Sequence, residues 1–476
     1  MWLDRSRGTR CRAAARALAV LFVALTLGAL LVMPPTPAQA QLFGSESPFV
    51  APSGGPIVAP NGGGPEAGGS PDGQVRALWV DSYRDGFKSP AQVDRLLADA
   101  RRANVNTLLI QVRRAGTALY LRSGEPRVED PTIAPDFDPL AYLITRAHAG
   151  EPRLDVHAWI NTLPIWGMQE RRPVDPRHVL NQHGPDAPGR EDWLTRREDG
   201  AAYAGGYFLD PGHPDAARYT VDVALNLVRE YDIDGIHLDY IRYPEHTDEL
   251  SWGYNQTSID RFNARYGKQG RPAATDPDWA QWRRDQVTAL VRQIYLGTLG
   301  IKPTVKVSAA VIPWGDGPRT DADWRRMAAY SVVYQDWRAW LEEGIVDIVM
   351  PMNYFREDRP PQPDWFDRWV AWQRDHAYGR QIVPGVAIYL NDPAASVAQI
   401  RRALAPGPDG SRVAGVALFS YAVARSGTGN EPTPPDEAAE VWAALTEPGP
   451  ANDSQPPFAV RAAPPAMAWR ASPSGR

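Results

Sequence analysis

Asp239 is the residue whose sequence surroundings most clearly suggest chemistry. It ends the segment 234–239, in which apolar and polar side chains alternate after an Asp-Gly turn. This alternation predicts a short buried strand, and Pro244 closes it soon after. In α/β barrels, a carboxylate at the carboxyl end of a parallel strand is where catalytic groups lie. The alternative is structural: Asp239 caps the following loop or pairs with Arg242.

Further polar and aromatic residues fall near the ends of other strand-like segments. Residues two apart in a strand share a face, and this rule turns the following side chains inward: Trp79, Asp81, Gln111, Arg113, His157, Trp159, Asn161, His237, Asn353, Tyr389, Phe419 and Tyr421. Barrel interiors are filled mainly by branched aliphatic residues, so this polar content suggests a site. Structural alternatives stay open, since Asp81 and Arg113 can form an ion pair and both histidines can be hydrogen-bonded core residues.

The elements that must position these residues alternate along the chain. The predicted strands are Arg76–Asp81, Thr107–Arg113, Asp155–Asn161, Gly235–Asp239, Lys306–Ile312, Asp347–Asn353, Ile382–Tyr389 and Gly415–Tyr421. The predicted helices are Pro90–Ala103, Pro139–His148, Pro214–Tyr231, Trp279–Thr298, Ala322–Glu343, Ala394–Leu404 and Pro435–Leu445. Apolar strands separated by helices indicate a parallel sheet buried on both faces. Eight such strands predict a single TIM-type (β/α)8 barrel over residues 74–447.

The strand-to-helix loops are long, whereas the helix-to-strand links are short, which places long insertions on the face that builds sites in barrels. These loops are rich in large aromatic residues: Trp166, Trp193, Tyr207, Trp252, Tyr254, Trp314 and Trp365. Flat amphipathic rings suit stacking on sugars. As a group they favour a carbohydrate cleft, although each ring singly can instead pack a loop onto the rim.

Composition and the N-terminus limit the possible functions and locations. The net charge of −5 gives no electrostatic footprint for nucleic acid, and the 43% hydrophobic content suits a large core. A basic start, the apolar run 17–33 and the sequence Ala38-Gln39-Ala40 predict a signal peptide cleaved after Ala40 and a periplasmic or secreted protein. An uncleaved signal acting as a membrane anchor is the alternative. The only cysteine, Cys11, lies in this signal, so the mature chain has no disulfide, cysteine metal site or cysteine nucleophile.

Two flanking segments differ in composition from the predicted barrel. Residues 41–73 are rich in Gly, Pro and Ser and predict a flexible linker. Residues 448–476 form a Pro/Ala-rich tail that we expect to be disordered, although Phe458, Val460 and Trp469 can instead add a strand or a docking motif.

Several motifs in order resemble the glycosyl hydrolase-like family 10 barrels. They are Arg76-Ala-Leu-Trp79-Val, Phe137-Asp-Pro-Leu-Ala-Tyr142, Val156-His157-Ala-Trp159-Ile-Asn161, Leu209-Asp-Pro-Gly212 and Asp234-Gly-Ile-His-Leu-Asp239 with Tyr243-Pro244. The resemblance covers about residues 75–445. It implies a TIM barrel with glycosidase activity on bacterial cell-wall glycan, namely strands that lack stem peptides.

A weaker similarity is to chitinase-type barrels, whose fourth strand carries D-G-x-D-x-D-x-E with a catalytic Glu. Asp234 and Asp239 match that motif, but His237 replaces the middle Asp and Ile241 occupies the position of the acid. Met352-Asn353-Tyr354 resembles the chitinase Met-x-Tyr, whose Tyr supports an acetamido-assisted intermediate. The missing Glu motivates a second hypothesis, a glycan-binding barrel without catalysis.

Glycoside hydrolysis usually needs two carboxyl groups, one of them protonated near neutral pH. The predicted catalytic carboxyls are Asp239, Asp81 and Glu245, with Asp316, Glu357 and Asp392 on loops of the same face. Without a second carboxyl, the acetamido group of the substrate is the nucleophile, oriented by Asn353 or Tyr354. The predicted substrate-binding residues are Trp79, Arg113, His157, Trp159, Asn161, His237, Arg242, Asn353, Tyr354, Tyr389 and Tyr421.

We expect a polysaccharide partner, no cofactor and no metal. A third hypothesis is a metal-dependent hydrolase such as a deacetylase, with His157, His237 and Asp239 as ligands.

Overall fold

Eight parallel strands form the centre of the molecule. The computed structural model describes residues 73–245, 250–423 and 435–470; the predicted signal, its cleavage site at Ala40 and the predicted linker up to residue 72 lie outside these ranges. The strands are β1 (Val75–Val80), β2 (Thr107–Arg114), β3 (Asp155–Asn161), β4 (Gly235–Asp239), β5 (Lys306–Val311), β6 (Ile348–Pro351), β7 in two parts (Gln381–Ile382 and Gly385–Ala387) and β8 (Gly415–Phe419).

These strands close into a ring. From β1 to β6 each strand pairs in parallel with the next, and β1 also pairs with β8. The gap is bridged by β7, whose first part pairs with β6 and whose second part pairs with β8. The predicted (β/α)8 barrel is therefore confirmed, and all strand carboxyl ends meet at one mouth.

Helices surround the barrel and most begin at a capping side chain followed by proline. The helices of seven or more residues are Pro90–Arg102, Pro139–Ala149, Pro214–Glu230, Gln256–Tyr266, Pro277–Ile301, Trp337–Glu343, Gln362–Asp375, Pro393–Leu404 and Pro435–Thr446. At the first of these, the Ser89 hydroxyl accepts from the Gln92 N–H and Pro90 fills the first helical position. Such caps satisfy backbone donors that have no partner inside the helix.

The predicted helix Ala322–Glu343 is wrong in extent. The structure divides this region into Asp321–Trp324, Ala328–Ser331 and Trp337–Glu343. Asp336 interrupts the run because its carboxylate caps the third helix by accepting from the Ala339 N–H. Sequence reasoning also missed two helices: Gln256–Tyr266, within the long loop after β4, and Gln362–Asp375, which connects β6 to β7.

The barrel interior is apolar at its base and aromatic towards the mouth. One buried cluster fills it: Val75, Ala77, Trp79, Leu109, Trp159, Ile348, Met350, Val383 and Ala417. On β1 the alternate residues Leu78 and Val80 face the opposite way, into the core between barrel and helices. The period-two rule thus holds inside the strands.

The C-terminal tail closes the other end of the barrel. Residues 450–470 are described, and Met467 packs against the interior cluster from below. Phe458 is fully buried under the Arg76 guanidinium, 4.4 Å from its ring centroid, and Arg470 pairs with the buried Asp347. These residues are therefore ordered rather than disordered, and they dock onto the barrel as the alternative prediction states.

Within the described ranges, no helix combines the length and the apolar character that crossing a membrane requires.

Because the tail docks on the barrel, we expect alanine substitutions at two residues only two positions apart to have different effects on stability. Phe458→Ala should lower the free energy of unfolding by about 3 kcal/mol, because it removes a fully buried ring. Val460→Ala is the matched control and should change it little, since that side chain is 73% exposed. Urea unfolding followed by far-UV circular dichroism measures both. Equal stability of the two variants would mean that the tail does not dock in solution.

Candidate active site

Asp239 lies at the barrel mouth with its carboxylate held at both oxygens. The Trp159 indole N–H donates to Oδ2 (3.1 Å), and the Tyr240 backbone N–H donates to Oδ1 (2.7 Å). The Asp239 carbonyl accepts from the Thr162 N–H (2.8 Å), which ties the ends of β3 and β4 together. Tyr240 has a left-handed backbone (φ 50°), a conformation uncommon outside glycine and concentrated at functional sites.

Burial changes the acidity of this carboxyl group. The side chain is 7% exposed, and loss of hydration raises the pKa of Asp239 to about 6. The Tyr240 N–H, the Arg242 guanidinium and the Trp159 N–H act in the opposite direction but do not cancel the effect of burial. A carboxyl group with this pKa is partly protonated near neutral pH, as a general acid requires.

Arg242 supplies positive charge beside Asp239 without pairing to it. Its guanidinium lies over the rings of Tyr240 (4.9 Å) and Trp314 (5.4 Å), and Nη1 donates to the Tyr243 carbonyl (3.2 Å). The structural alternative of an Asp239–Arg242 salt bridge is not observed. The cation therefore stays near the carboxyl group with its planar face against two aromatic rings.

The two inward histidines form a neutral column below Asp239. The Trp79 indole N–H donates to His237 Nε2 (3.1 Å), and His237 Nδ1 contacts the Ser308 hydroxyl (2.9 Å). His157 Nδ1 contacts the same hydroxyl at 3.2 Å. Because tryptophan is only a donor, His237 Nε2 must be unprotonated, and its proton is on Nδ1. Burial lowers the pKa of His157 to about 4 and that of His237 well below its ordinary value.

A polar wall continues from Asp239 towards β1. Asn161 is the register partner of Asp239, and its Oδ1 accepts from Gln111 Nε2 (3.0 Å). Gln111 Oε1 in turn accepts from the Ser82 hydroxyl (2.8 Å). Asn161 thereby keeps its amide nitrogen available at the mouth, with no partner for it among the described residues.

Aromatic side chains line the side of the mouth opposite this wall. The Tyr354 ring lies 6.1 Å from Tyr389, 5.2 Å from Phe419 and 6.4 Å from Trp79. Gly385 permits this packing, because a Cβ there would lie 3.3 Å from both the Trp79 and Tyr354 rings and 2.8 Å from a backbone oxygen. Burial, with the charge of Asp239 among the further causes, raises the pKa of Tyr354 well above its ordinary value.

Besides the fully buried histidines His157 and His237, three more predicted substrate-binding residues do not reach the mouth. Arg113 is fully buried and donates to both carboxylate oxygens of Glu125 (2.8–3.2 Å), so the structural alternative of an ion pair with Asp81 is not observed. Asn353 is buried in a reciprocal amide pair with Gln373 (2.9 and 3.0 Å).

Tyr421 also points away from the mouth. Its hydroxyl donates to Asp99 Oδ2 (2.8 Å), and its ring stacks on Trp442. The reason is that β8 ends at Phe419, so the alternation that would turn Tyr421 inward stops before it.

The candidate second carboxyls are mostly engaged. Asp81 accepts from two backbone N–H groups of its own turn and pairs with Arg84 (3.3 Å). Glu245 is exposed and borders residues 246–249, which are not described. The remaining loop carboxylates have structural partners: Asp316 with Arg368, Glu357 with Arg402, and Asp392 as a helix cap.

The metal-site hypothesis finds no support in the geometry. His157 and His237 converge on Ser308, whereas the Asp239 carboxylate faces Trp159. Within the described ranges, no three His, Cys, Asp or Glu side chains are grouped so that they could hold a metal ion.

Most of the aromatic loop residues pack loops rather than line the mouth. Trp166, Tyr207, Trp252 and Tyr254 are buried, Trp193 stacks on His183, and Trp365 contacts Phe355. Trp314 is the member of this group that borders the site. Sequence reasoning missed Tyr240 and Tyr83 as mouth residues; the available signal was their position directly after Asp239 and shortly after the end of β1.

The fold agrees with comparisons to known proteins. The sequence profile described as glycosyl hydrolase-like 10 matches residues 74–399. The chain belongs to the glycosyl hydrolase-like 10 family.

Two curated relatives are similar to this chain in sequence. Glycosyl hydrolase YngK from Bacillus subtilis (strain 168) is 29% identical over 307 residues, which are 60% of this chain and 54% of YngK. Glycosyl hydrolase DigH from Escherichia coli (strain K12) is 28% identical over 282 residues, which are 56% of this chain and 58% of DigH. The chain thus spans little more than half the length of the curated relatives it matches.

Among solved structures, the catalytic domain of beta-amylase from Paenibacillus polymyxa is similar with a TM-score of 0.52. The similarity covers 78% of this chain and 97% of that domain at 13% identity. At this identity the likeness shows the barrel fold alone.

The raised pKa of Asp239 predicts a cost in stability that depends on pH. The folded protein holds this proton more tightly than the unfolded chain does. Stability is therefore lost as the pH rises from the ordinary value of 3.8 through about 6, by about 3 kcal/mol in total. Asp239→Asn should thus stabilise the protein by about 2 kcal/mol at about pH 8, since one N–H donor loses its acceptor at a cost of about 1 kcal/mol. The gain should vanish by about pH 4.5.

Urea unfolding at the two pH values measures this effect. Asp81→Asn is the control and should gain no stability at about pH 8, because Arg84 and two backbone N–H groups hold that carboxylate. A pH-independent effect of Asp239→Asn would show that the carboxylate is hydrated in solution.

Proposed function

We propose that this protein is an exported glycosidase that cleaves peptidoglycan-type glycan, with Asp239 as its general acid. The observation that carries the proposal is a buried carboxyl group with a pKa of about 6 at the mouth of a barrel whose family is glycosyl hydrolase-like. The cell-wall substrate and the preference for strands without stem peptides rest on the sequence motifs that resemble this family. Export rests on the predicted signal at residues 1–40.

The mechanism begins with proton transfer from the Asp239 carboxyl group to the glycosidic oxygen as its bond to the anomeric carbon breaks. The Trp159 and Tyr240 N–H groups then stabilise the carboxylate that remains. Arg242 lies close enough to favour the same charge. These three groups make proton release easier without abolishing the raised pKa.

Two groups are candidates for attack on the anomeric carbon. One is the acetamido oxygen of an N-acetylhexosamine unit, with Tyr354 beside Asp239 to orient it. The other is a water molecule that Glu245 activates as a general base. The charge of Glu245 is among those that raise the pKa of Tyr240. The first candidate agrees better with the buried position of the aromatic wall, and the second with the usual pair of carboxyls.

Asp239→Asn should abolish glycan cleavage and leave the fold intact. Asp81→Asn should retain activity, because that side chain is occupied in its own turn. Mass spectrometry of products from purified sacculi, with and without prior removal of stem peptides, measures cleavage, and circular dichroism checks folding. Full activity of Asp239→Asn would refute its role. Glycan binding by the wild type without release of reducing ends, even at high protein concentration, would favour the non-catalytic barrel.

The pH dependence of kcat/KM offers a separate test of the acid. It should fall about tenfold per unit above about pH 6, since the protonated carboxyl is the active form. Trp159→Phe removes a hydrogen bond that favours the charged form, so the falling limb should move to higher pH by roughly half a unit to one unit. Initial rates on peptide-free glycan across about pH 4–9 give both curves. If Trp159→Phe leaves the falling limb in place, or moves it to lower pH, then the limb reports the titration of a group other than Asp239.

A further inference from the structure

An exposed aromatic ring on the β1 side of the mouth has no role in the chemistry described above. The Tyr83 side chain is 53% exposed, although its backbone is anchored because its N–H donates to Asp81 Oδ1 (3.0 Å). Large apolar side chains with this exposure are few among the described residues. A rigidly placed but exposed ring differs from a ring that packs a loop, as most of the loop aromatics do.

A guanidinium group supports the ring. The Arg114 guanidinium lies over it, 4.3 Å from the ring centroid. Arg114 is itself fixed at the end of β2 and faces Asp130 (3.8 Å), which is held by Lys88 at 2.9 Å. The cation lies against the ring, and more than half of the Tyr83 surface stays open to solvent, where a ligand can contact it. A ring fixed in this way loses little conformational entropy on binding.

Tyr83 lies near Tyr240, the residue that follows the candidate acid. Tyr240 follows Asp239 directly, and the Tyr83 hydroxyl is close enough to be among the groups that raise the pKa of Tyr240. On the β5 side, Arg242 lies between the rings of Tyr240 and Trp314. Aromatic surfaces with an arginine against them thus flank Asp239 on two sides.

We propose that Tyr83 is a stacking platform for a pyranose unit of the glycan that lies beyond the two units joined by the cleaved bond. With Trp314 on the other side, the mouth binds sugars on both sides of Asp239, so the enzyme cuts inside a strand rather than from its end. This inference rests on the proposed glycosidase function and adds the binding position and the mode of cleavage. The platform recognises the apolar face of an uncharged hexosamine ring.

Binding is tested in the Asp239→Asn background, so that the probe is not consumed. The probes are peptide-free peptidoglycan glycan oligomers, size-fractionated from about two to eight sugars, and isothermal titration calorimetry measures Kd. Adding Tyr83→Ala should weaken binding of the longer oligomers by roughly tenfold and of the disaccharide little, since only longer strands reach the platform. Tyr83→Phe should bind like the parent, because stacking needs the ring and not the hydroxyl.

Tyr378→Ala is the matched control for loss of an exposed tyrosine. That ring is 41% exposed and also contacts an arginine, with Arg338 at 5.8 Å, but it follows the helix Gln362–Asp375 and precedes β7, at the end of the barrel away from the mouth. Its loss should leave every Kd unchanged. Products of the wild-type enzyme on long strands should shorten through intermediate lengths, as internal cleavage requires.

The outcomes separate the platform from the proposed function. Unchanged Kd values in Tyr83→Ala, or release of terminal sugars alone by the wild type, would overturn this inference while glycosidase activity stands. Tenfold weaker binding by Tyr83→Ala together with a wild type that cleaves nothing would support the platform and refute the glycosidase. Absence of binding by the parent variant to any oligomer would overturn both.

Discussion

The desolvation of one carboxyl group is the constraint on which the candidate site depends. Asp239 ends β4 at the mouth of a barrel whose opposite end is covered by the described part of the C-terminal tail. Its carboxylate has two N–H donors and a nearby guanidinium in place of a hydration shell. This replacement is incomplete, and the pKa rises to about 6 for that reason. Full compensation would give an ordinary carboxylate with no proton to donate near neutral pH.

The aromatic and imidazole side chains inside the barrel help to keep the pKa of Asp239 raised, because they add no positive charge beneath it. Trp79 forces His237 to act as an acceptor at Nε2, and Ser308 occupies the inner nitrogens of both histidines. Both imidazoles are therefore neutral, and their low pKa values keep them so over the pH range in which Asp239 titrates. A protonated His237 beneath the site would favour the carboxylate and lower the pKa of Asp239. His237 therefore acts on Asp239 only indirectly, by staying uncharged.

Sequence periodicity predicted the site where strands are regular and failed where they are not. The bounds of β3 and β4 are those predicted, and the Trp159, Asn161, His237 and Asp239 side chains lie inward as the alternation requires. Arg113 follows a register shift in the pairing of β2 with β3, and Asn353 lies two residues beyond the end of β6. Once the chain leaves a regular ladder, alternation no longer fixes direction.

The side chains that were wrongly predicted to face the mouth have hydrogen-bond partners that are distant in sequence. Gln373 takes the amide of Asn353 from a helix that the sequence pattern did not reveal, and Asp99 takes the Tyr421 hydroxyl from the first helix. The tail is a similar case, because its proline-rich composition suggests disorder while Phe458 and Arg470 find partners only in the assembled barrel. Local composition indicates how much conformational entropy a segment loses when it becomes ordered. The contacts that offset this loss come from residues elsewhere in the chain.

The buried ion pair of Arg113 also explains why Arg113 and Arg242 differ in role. Glu125 neutralises Arg113, the Tyr219 hydroxyl donates to the same carboxylate (2.5 Å), and the remaining guanidinium nitrogen donates to the Asn161 and Thr162 carbonyls. Removing either partner of such a pair would leave an uncompensated buried charge, so the pair fixes the end of β3 firmly. Since the Thr162 N–H holds the Asp239 carbonyl, this rigidity reaches the candidate acid through the backbone. Arg242 has aromatic rings instead of a carboxylate, so its charge remains available to Asp239 and to the substrate.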